Sequence, residues 1–398
     1  MKYRERMNDL ATRVLEHVER GTTDQAPGFY EIDASVYADA ARYEVELERI
    51  FRAVPLLLGF TAELPKPGDF KTIDIARVPV LITRSEDGVV RAFLNACRHR
   101  GLPVTEAKCG SASRFSCLYH GWTYRNDGRL LGVTEPQRFG EVDMASRGLI
   151  ALPCEERAGL IFGVLSPGAP LDLDRFYGDM LEHLAHYRFE KWHLMSKVEI
   201  KGPNWKIAFD GYLETYHFPT AHRDSIASFS MSGRSAYNSY GPHIHMAGGM
   251  PSVAALRDLP ADQRWTRETH EFSVLNLLFP NVSFSLGYGG VGQVAQILPG
   301  PTVGENTTIL HHICREPPAD EDEQSKREKM RDLIVDVLRD EDYGMGMRLQ
   351  RGVEAPLPLK LIFGRNEPGN QHFHKWVEHY VSPQPAGAEP GPILAPYL

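Results

Sequence analysis

Apolar and polar positions along this chain follow two different periods. Near the start, Leu10, Val14, Leu15 and Val18 recur at helical spacing within the charged stretch MKYRERMNDLATRVLEHVER, which predicts a short amphipathic helix. The segment YEVELERIFRAV (43–54) keeps that period, so residues 1–54 read as mostly helical around a loop at Pro27-Gly28. From about 55 to 165 the pattern breaks into short β-rich runs. Phe70–Ile75, Val78–Thr83 and Val89–Leu94 are strand candidates, and Glu86-Asp87-Gly88 and Asn126-Asp127-Gly128 are turns. Beyond Pro167–Pro170 the periods mix. Helices are expected over 172–189, 204–218 and 319–350, and strands over 197–203, Phe272–Phe279, Val291–Leu298 and Thr307–Ile313. The closing PQPAGAEPGPILAP reads as a loose tail or an extended arm.

At 398 residues, 42% hydrophobic and 24% charged, the composition is that of a globular protein, and about 150 residues per domain suggests two or three domains. The pattern divides the chain into a helical segment 1–50, a small all-β domain 51–168 and a larger mixed region 169–398. Lys and Arg number 44 against 52 Asp and Glu, a net charge of −8 with no basic block, which argues against nucleic acid as a partner. The longest apolar runs, such as Val54–Phe60, are too short to cross a bilayer. The N-terminal stretch has no apolar h-region, so it does not read as a secretory signal. Five cysteines in such a chain suit a reducing, cytoplasmic compartment better than a disulfide framework.

Two cysteines sit beside histidines at metal-ligand spacing. Residues 97–101 read Cys-Arg-His-Arg-Gly and residues 117–122 read Cys-Leu-Tyr-His-Gly-Trp, giving the pairs Cys97/His99 and Cys117/His120. Two Cys and two His could ligate zinc, but structural zinc sites usually pair like with like. Mixed pairs suit a two-iron cluster in which one iron keeps two thiolates and the other takes two imidazoles. Gly101 and Gly121 permit the tight loop turns such a cluster needs. Cys109, between the pairs, matches no motif and reads as a buried small residue.

A second constellation lies in NWKIAFDGYLETYHFPTAH (204–222). Asp210, Glu214 and His217 are spaced to share one face of a helix, and Pro219 breaks that helix so that His222 can return toward His217. Two His and one carboxylate make a facial triad for Fe(II). The run 339–352 offers Asp340, Glu341 and Asp342 as the carboxylate, although on charge alone it reads as a solvated helix face. The rival pairs are structural on this reading. His311 and His312 are adjacent on a strand and point to opposite faces, and His372 and His374 would share a strand face but lack an acidic helix.

The Cys-x-His-Arg-Gly and Cys-x-Tyr-His-Gly-Trp segments resemble the Rieske [2Fe-2S] motif of ring-hydroxylating oxygenase α-subunits. Respiratory Rieske proteins carry an extra cysteine in each motif, which this chain lacks. The likeness extends over Pro67-Gly68, Asn95, Asn204-Trp205-Lys206, Phe279-Pro280-Asn281 and the late Glu341-Asp342…Gln350 helix. It implies an α+β fold, with a small all-β Rieske domain (51–168) inserted into a catalytic domain (169–398) of antiparallel sheet and helices, on which 1–50 packs. It implies a Rieske cluster on Cys97, His99, Cys117 and His120, and a mononuclear Fe(II) on His217, His222 and Asp342. Asp210 and Glu214 are left as catalytic carboxylates, Glu214 linking His217 to His120 of a neighbouring copy. The implied activity is a terminal oxygenase, dioxygenase or monooxygenase, with O2 as co-substrate. NAD(P)H would act only through a separate reductase, with or without a ferredoxin, since the chain shows no G-x-G-x-x-G. A homotrimer, possibly with a small β subunit, is implied as well. The expected substrate is a small organic, aromatic compound in a catabolic pathway. Glu at 214 is similar instead to the branch that oxidises quaternary ammonium compounds of the carnitine and betaine kind, the alternative substrate class. Phe229, Met231, Leu275, Leu277, Phe279 and Phe284 could line an apolar pocket. Two other classes stay open: a Rieske electron-transfer protein, separable by iron content, and a zinc-stapled binding protein, separable by its lack of colour.

Overall fold

A computed structural model describes residues 2–265, 272–288, 291–382, 389–390 and 394. Most of the Pro/Gly-rich C-terminal stretch therefore lies outside the described residues. The chain divides into two compact units, one of Phe51–Phe176 with Leu184–Lys191, the other of Met1–Ile50, Tyr177–His183 and Trp192–Leu398. The smaller unit thus interrupts the larger in sequence. It also runs past the expected boundary at 168, because 172–189 is not one helix. Leu173–Tyr177 and Asp179–Tyr187 are separate helices parted by Gly178 at φ +49°, and Phe189 packs edge-on against Phe60 within the smaller unit.

In the smaller unit, β1 (Asp69–Ile75), β2 (Val78–Arg84) and β3 (Val90–Leu94) form the antiparallel centre of a five-stranded sheet. The apolar run of β2 is buried on both faces, with Val80, Leu81 and Ile82 all in the interior. Two three-stranded sheets complete the unit, and one of them carries a hairpin, Arg114–Ser116 with Thr123–Arg125, whose loop is Cys117–Trp122. Cys109, expected to be buried, is exposed on the edge strand Cys109–Ser111.

The larger unit is built on a seven-stranded antiparallel sheet. Its strands are β4 (His193–Gly202), β5 (Ser235–Tyr240), β6 (His243–Gly249), β7 (Phe272–Leu278), β8 (Val282–Tyr288), β9 (Val291–Pro299) and β10 (Asn306–Cys314). Strands β5 to β10 form a meander, and β4 closes the edge beside β10. Helix α1 (Lys2–Arg20) covers one face, where Leu10, Ala11, Val14 and Leu15 pack on Ala236, Ala247, Phe272 and Val274. The other face carries the register row Met246–Leu275–Ser285–Gln293. Among the described residues no helix is long and apolar enough to cross a membrane.

Two helical expectations are corrected. The helix expected over 204–218 is α2 (Trp205–Asp210) only, followed by an irregular turn and a short α3 (Phe218–Ala221). Carbonyls at its end are taken by side chains: the Asp210 carbonyl accepts from Asn370 Nδ2 at 3.1 Å, and the Leu213 carbonyl from the Tyr237 hydroxyl at 3.1 Å. Pro219 lies in the first turn of α3 and does not break a longer helix. The charged helix expected over 319–350 is α4 (Glu321–Asp336), a π-helical turn Val337–Asp342 and α5 (Tyr343–Val353). His372 and His374 lie on α6 (Pro368–Val381), not on a strand. Their ring nitrogens meet the Gly241 carbonyl and Asp210 respectively, at 2.9 and 3.0 Å.

Candidate metal centres

In the smaller unit two loops repeat one hydrogen-bond scheme. Cys97 N donates to the Leu102 carbonyl and Gly101 N to the Cys97 carbonyl, each at 2.8 Å; Cys117 N donates to Trp122 and Gly121 N to Cys117, at 2.8 and 2.9 Å. The two glycines take φ of +82° and +70°, a conformation a side chain would strain. Both cysteines are buried, and the His99 and His120 rings approach to 4.5 Å between centroids. His99 stacks on Trp122 at 5.3 Å, and its Nδ1 is buried without a hydrogen-bond partner. Burial, then His120 and Arg100, hold the His99 imidazole below its ordinary value, a shift toward the neutral form that a metal ligand needs.

The donor set and the orphaned Nδ1 fit a [2Fe-2S] cluster. A lone zinc ion fits poorly. Bonds of about 2.0–2.3 Å would draw all four donor atoms close together. Among the described residues, the one group of three or more such side chains with ligand atoms within 4.8 Å of one another lies elsewhere. Sequence reasoning missed Tyr124, whose hydroxyl lies 3.3 Å from Cys97 Sγ and accepts from Arg98 N at 2.9 Å. Burial, then Cys97, raises the phenol, so it stays protonated and available to donate to the sulfur. Hydrogen bonds to cluster sulfurs raise the reduction potential.

The group of three is His217, His222 and Asp342, in the larger unit. His217 precedes α3, His222 follows it, and Asp342 ends the π-turn. Asp342 Oδ1 lies 3.5 Å from His217 Nε2 and 3.1 Å from His222 Nε2. Each imidazole is oriented from behind. His217 Nδ1 meets the Glu214 carboxylate, which also accepts from His217 N at 3.1 Å. His222 Nδ1 meets Glu341 Oε2 at 2.6 Å, and Ser225 donates to that same oxygen at 2.6 Å. Carboxylates behind ligating histidines fix the tautomer and turn Nε2 inward. Of the three acidic candidates in 340–342, then, Asp342 faces both Nε2 atoms, Glu341 backs His222, and Asp340 pairs with Arg339 on the surface. Burial lowers the His217 imidazole, but Asp342 and Glu214 outweigh it and push it up to about 9. Burial raises Asp342, and the two histidines more than reverse that. The cluster is built to hold positive charge, and this two-imidazole, one-carboxylate donor set fits Fe(II).

The segments bearing these residues are clamped together. Asn204 caps α2 and its N–H donates to Gln350 of α5 at 3.0 Å. Gly346 lets α5 approach α2, since a Cβ there would stand 2.8 Å from Pro203. Asp210 lies apart from the trio, accepting from the Tyr37 hydroxyl at 2.6 Å and meeting His374 Nε2 at 3.0 Å. A cavity of about 610 Å³ opens beside the trio. Asp210, Glu214, His217, His222, Asp342, Phe229 and Leu275 line it, as does the sheet row Met246–Leu275–Ser285–Gln293. Of the expected apolar lining, Met231, Leu277, Phe279 and Phe284 are not among the lining residues, and the last three are buried core.

Residues 55–146 match the Rieske [2Fe-2S] domain, and residues 189–383 match the catalytic domain of the ring-hydroxylating α-subunit. The chain belongs to the Rieske-type ring-hydroxylating oxygenase α-subunit family. It is 36% identical over 210 residues to biphenyl 2,3-dioxygenase subunit alpha of Rhodococcus jostii, a match covering 49% of this chain and 44% of that one. It is 31% identical over 216 residues to the glycine betaine monooxygenase oxygenase subunit of Pseudomonas aeruginosa, covering 53% and 50%. The chain thus spans about half the length of these curated relatives. A solved quaternary ammonium Rieske monooxygenase shares the fold with a TM-score of 0.75 at 21% identity, covering 90% of this chain and 97% of that one.

Proposed function

We propose that this chain is the terminal oxygenase component of a multi-protein system, hydroxylating a small organic substrate. The observation that carries the reading is the convergence of His217, His222 and Asp342 at the wall of a largely apolar cavity, in a chain that also holds paired Cys/His loops. When bound, the cluster supplies electrons and the iron activates O2. Cys97 and Cys117 would hold one iron of the cluster, His99 and His120 the other. His217, His222 and Asp342 would hold the mononuclear iron, and the cavity they line would admit the substrate. Glu214 and Glu341 keep the two imidazoles aimed inward.

A cytoplasmic enzyme fed by a separate reductase is part of the same reading. So is a head-to-tail homotrimer. Leu118 and Tyr119, beside His120, are 83% and 57% exposed. Tyr216, next to His217, is 67% exposed, and Ile362 on the cavity rim is 62% exposed. Exposed apolar surface at both metal loops suits docking of one copy's Rieske loop at the Glu214 side of another. Glu214, already on His217 Nδ1, would then reach His120 of the neighbouring copy and fix both rings for electron passage. Turnover of the reduced enzyme with O2, against a panel of aromatic compounds and quaternary amines, tests the reading. Hydroxylated or demethylated product coupled to O2 consumption supports it. Cluster reoxidation with no product from any of them contradicts it.

A further inference from the structure

The sheet wall of the cavity carries a feature the metal chemistry does not use. Met246, Leu275, Ser285 and Gln293 stand in register on four neighbouring strands, so their side chains share one face, and all four line the cavity. Ser285 and Gln293 are thus polar groups side by side in a mostly apolar wall. Several other polar lining groups are engaged: Asp210 by Tyr37 and His374, Tyr343 by Thr308, Ser273 by the Gly248 carbonyl. Among the described residues the buried Tyr212 hydroxyl also lacks a hydrogen-bond partner, but it is a single group in the wall, not a pair on the sheet face. Among the described residues neither Ser285 nor Gln293 has a side-chain hydrogen-bond partner, although both are half-buried. A hydroxyl and a carboxamide can each donate and accept, so together they complement a carbonyl, amide or hydroxyl.

Charge narrows the class further. The cavity lining includes the carboxylates of Asp210, Glu214, Asp342 and Glu367, and among the described residues no Lys or Arg. A substrate anion would meet only like charge beyond the metal itself. Opposite the sheet, the helical wall is aliphatic, with Leu333, Ile334, Val337 and Leu338. The lining also carries Tyr37, Tyr212, Phe218, Phe229, Tyr343 and Phe363, so an ammonium compound is the competing ligand that the test must separate from a neutral one.

We propose that Ser285 and Gln293 are the polar recognition point of the cavity, selecting a neutral, largely apolar substrate with one hydrogen-bonding group and rejecting carboxylates. The inference rests on the oxygenase reading for the word substrate. Its test is equilibrium binding, which reads out whether or not the enzyme turns over. Calorimetric titration of the iron-loaded, anaerobic full chain would use four probes of matched shape: benzamide, benzoate, isopropylbenzene and phenyltrimethylammonium. Benzamide is expected to bind most tightly, with benzoate at least tenfold weaker. Gln293→Leu and, separately, Ser285→Ala should each weaken benzamide about tenfold, the value of one hydrogen bond left unmade, while isopropylbenzene binding is unchanged. Using two variants guards against one that misfolds, and retained isopropylbenzene binding certifies each. Benzoate or phenyltrimethylammonium binding as tightly as benzamide would overturn the inference. So would an unchanged benzamide-to-isopropylbenzene ratio in both variants, or no binding by any probe to enzyme with both metal sites filled. Absence of product from a bound probe, by contrast, counts against the oxygenase reading alone.

Discussion

Glu46 has no exposed side-chain surface, yet its carboxylate accepts from three donors, two of them cationic: Lys206 Nζ at 2.5 Å, Arg42 Nε at 3.1 Å and the neutral indole Trp205 Nε1 at 2.9 Å. Burial lowers the Lys206 ammonium from its ordinary value, and Glu46 opposes that. Removing one partner leaves a buried charge uncompensated, so Glu46→Gln should destabilise the protein by roughly 3–5 kcal/mol, read by denaturant unfolding. At the metal loops the expectations are spectroscopic. Cys117→Ser should abolish the visible absorption of the cluster while the far-UV circular dichroism persists. His222→Ala should lose the mononuclear iron yet keep the cluster colour, read by metal analysis beside the spectrum; loss of colour in that variant would contradict the separate assignment of the two ligand sets. Residues of this kind were legible in the sequence only where their partners are near in sequence. The Cys/His pairs and His217/His222 announce themselves by spacing. Glu46, Tyr124 and Glu341 gain their roles from contacts across long stretches of chain, such as the 119 positions between His222 and Glu341, and spacing carries no trace of them.

At the scale of elements, strong periodicity was readable and its interruptions were not. Helix α1 and strands β1 to β3 follow from their apolar pattern. Strands β5 and β6 escaped because SAYNSY and HIHMAGG are rich in Ser, Asn, His and Gly and show no clear alternation, although most of these residues are buried between two packed faces. The ending of α2 and the π-turn before α5 escaped because tertiary side-chain contacts override propensity there. Burial in these elements has a consequence with pH. Burial lowers His372 on α6 from 6.5 to about 4, and His312 on β10 likewise to about 4. Because the folded values lie below the unfolded one, the stability of the neutral forms is complete above pH 6.5 and is lost as pH falls from 6.5 toward 4. For His372, nearly enclosed, this amounts to about 3 kcal/mol at the acid end. Denaturant midpoints measured from pH 7.5 to 4.5 should fall steadily, and His372→Gln, which keeps a donor for the Gly241 carbonyl, should flatten part of that fall. An identical slope in the variant would show that His372 titrates as a solvated histidine.

On the scale of the whole molecule, the change of period near residues 55 and 165 marked a separate β-rich unit, whereas its insertion into the larger one was implied only by the family resemblance. The exact exchange of chain at 177–191 was not legible, since it depends on where Phe189 packs. The cavity was legible only as a list of apolar residues, half of which proved to be core, because a sequence does not say which sheet face a helix covers. On the function proposed, electrons received at the Cys/His loops would be spent at His217, His222 and Asp342 on O2 and a substrate. Replacing Glu214 by Gln should leave both metals in place and slow electron passage sharply, since the charged hydrogen bonds that orient the rings are lost; metal analysis with turnover checks this. The most direct measurement is a single turnover. Enzyme reduced anaerobically, freed of reductase and mixed with O2 and a bound substrate should reoxidise its cluster and form product in proportion to the mononuclear iron present. His222→Ala, treated identically, should form none. Product formation undiminished in His222→Ala, or cluster reoxidation without product in the wild-type enzyme holding both metals and a bound substrate, would contradict the account.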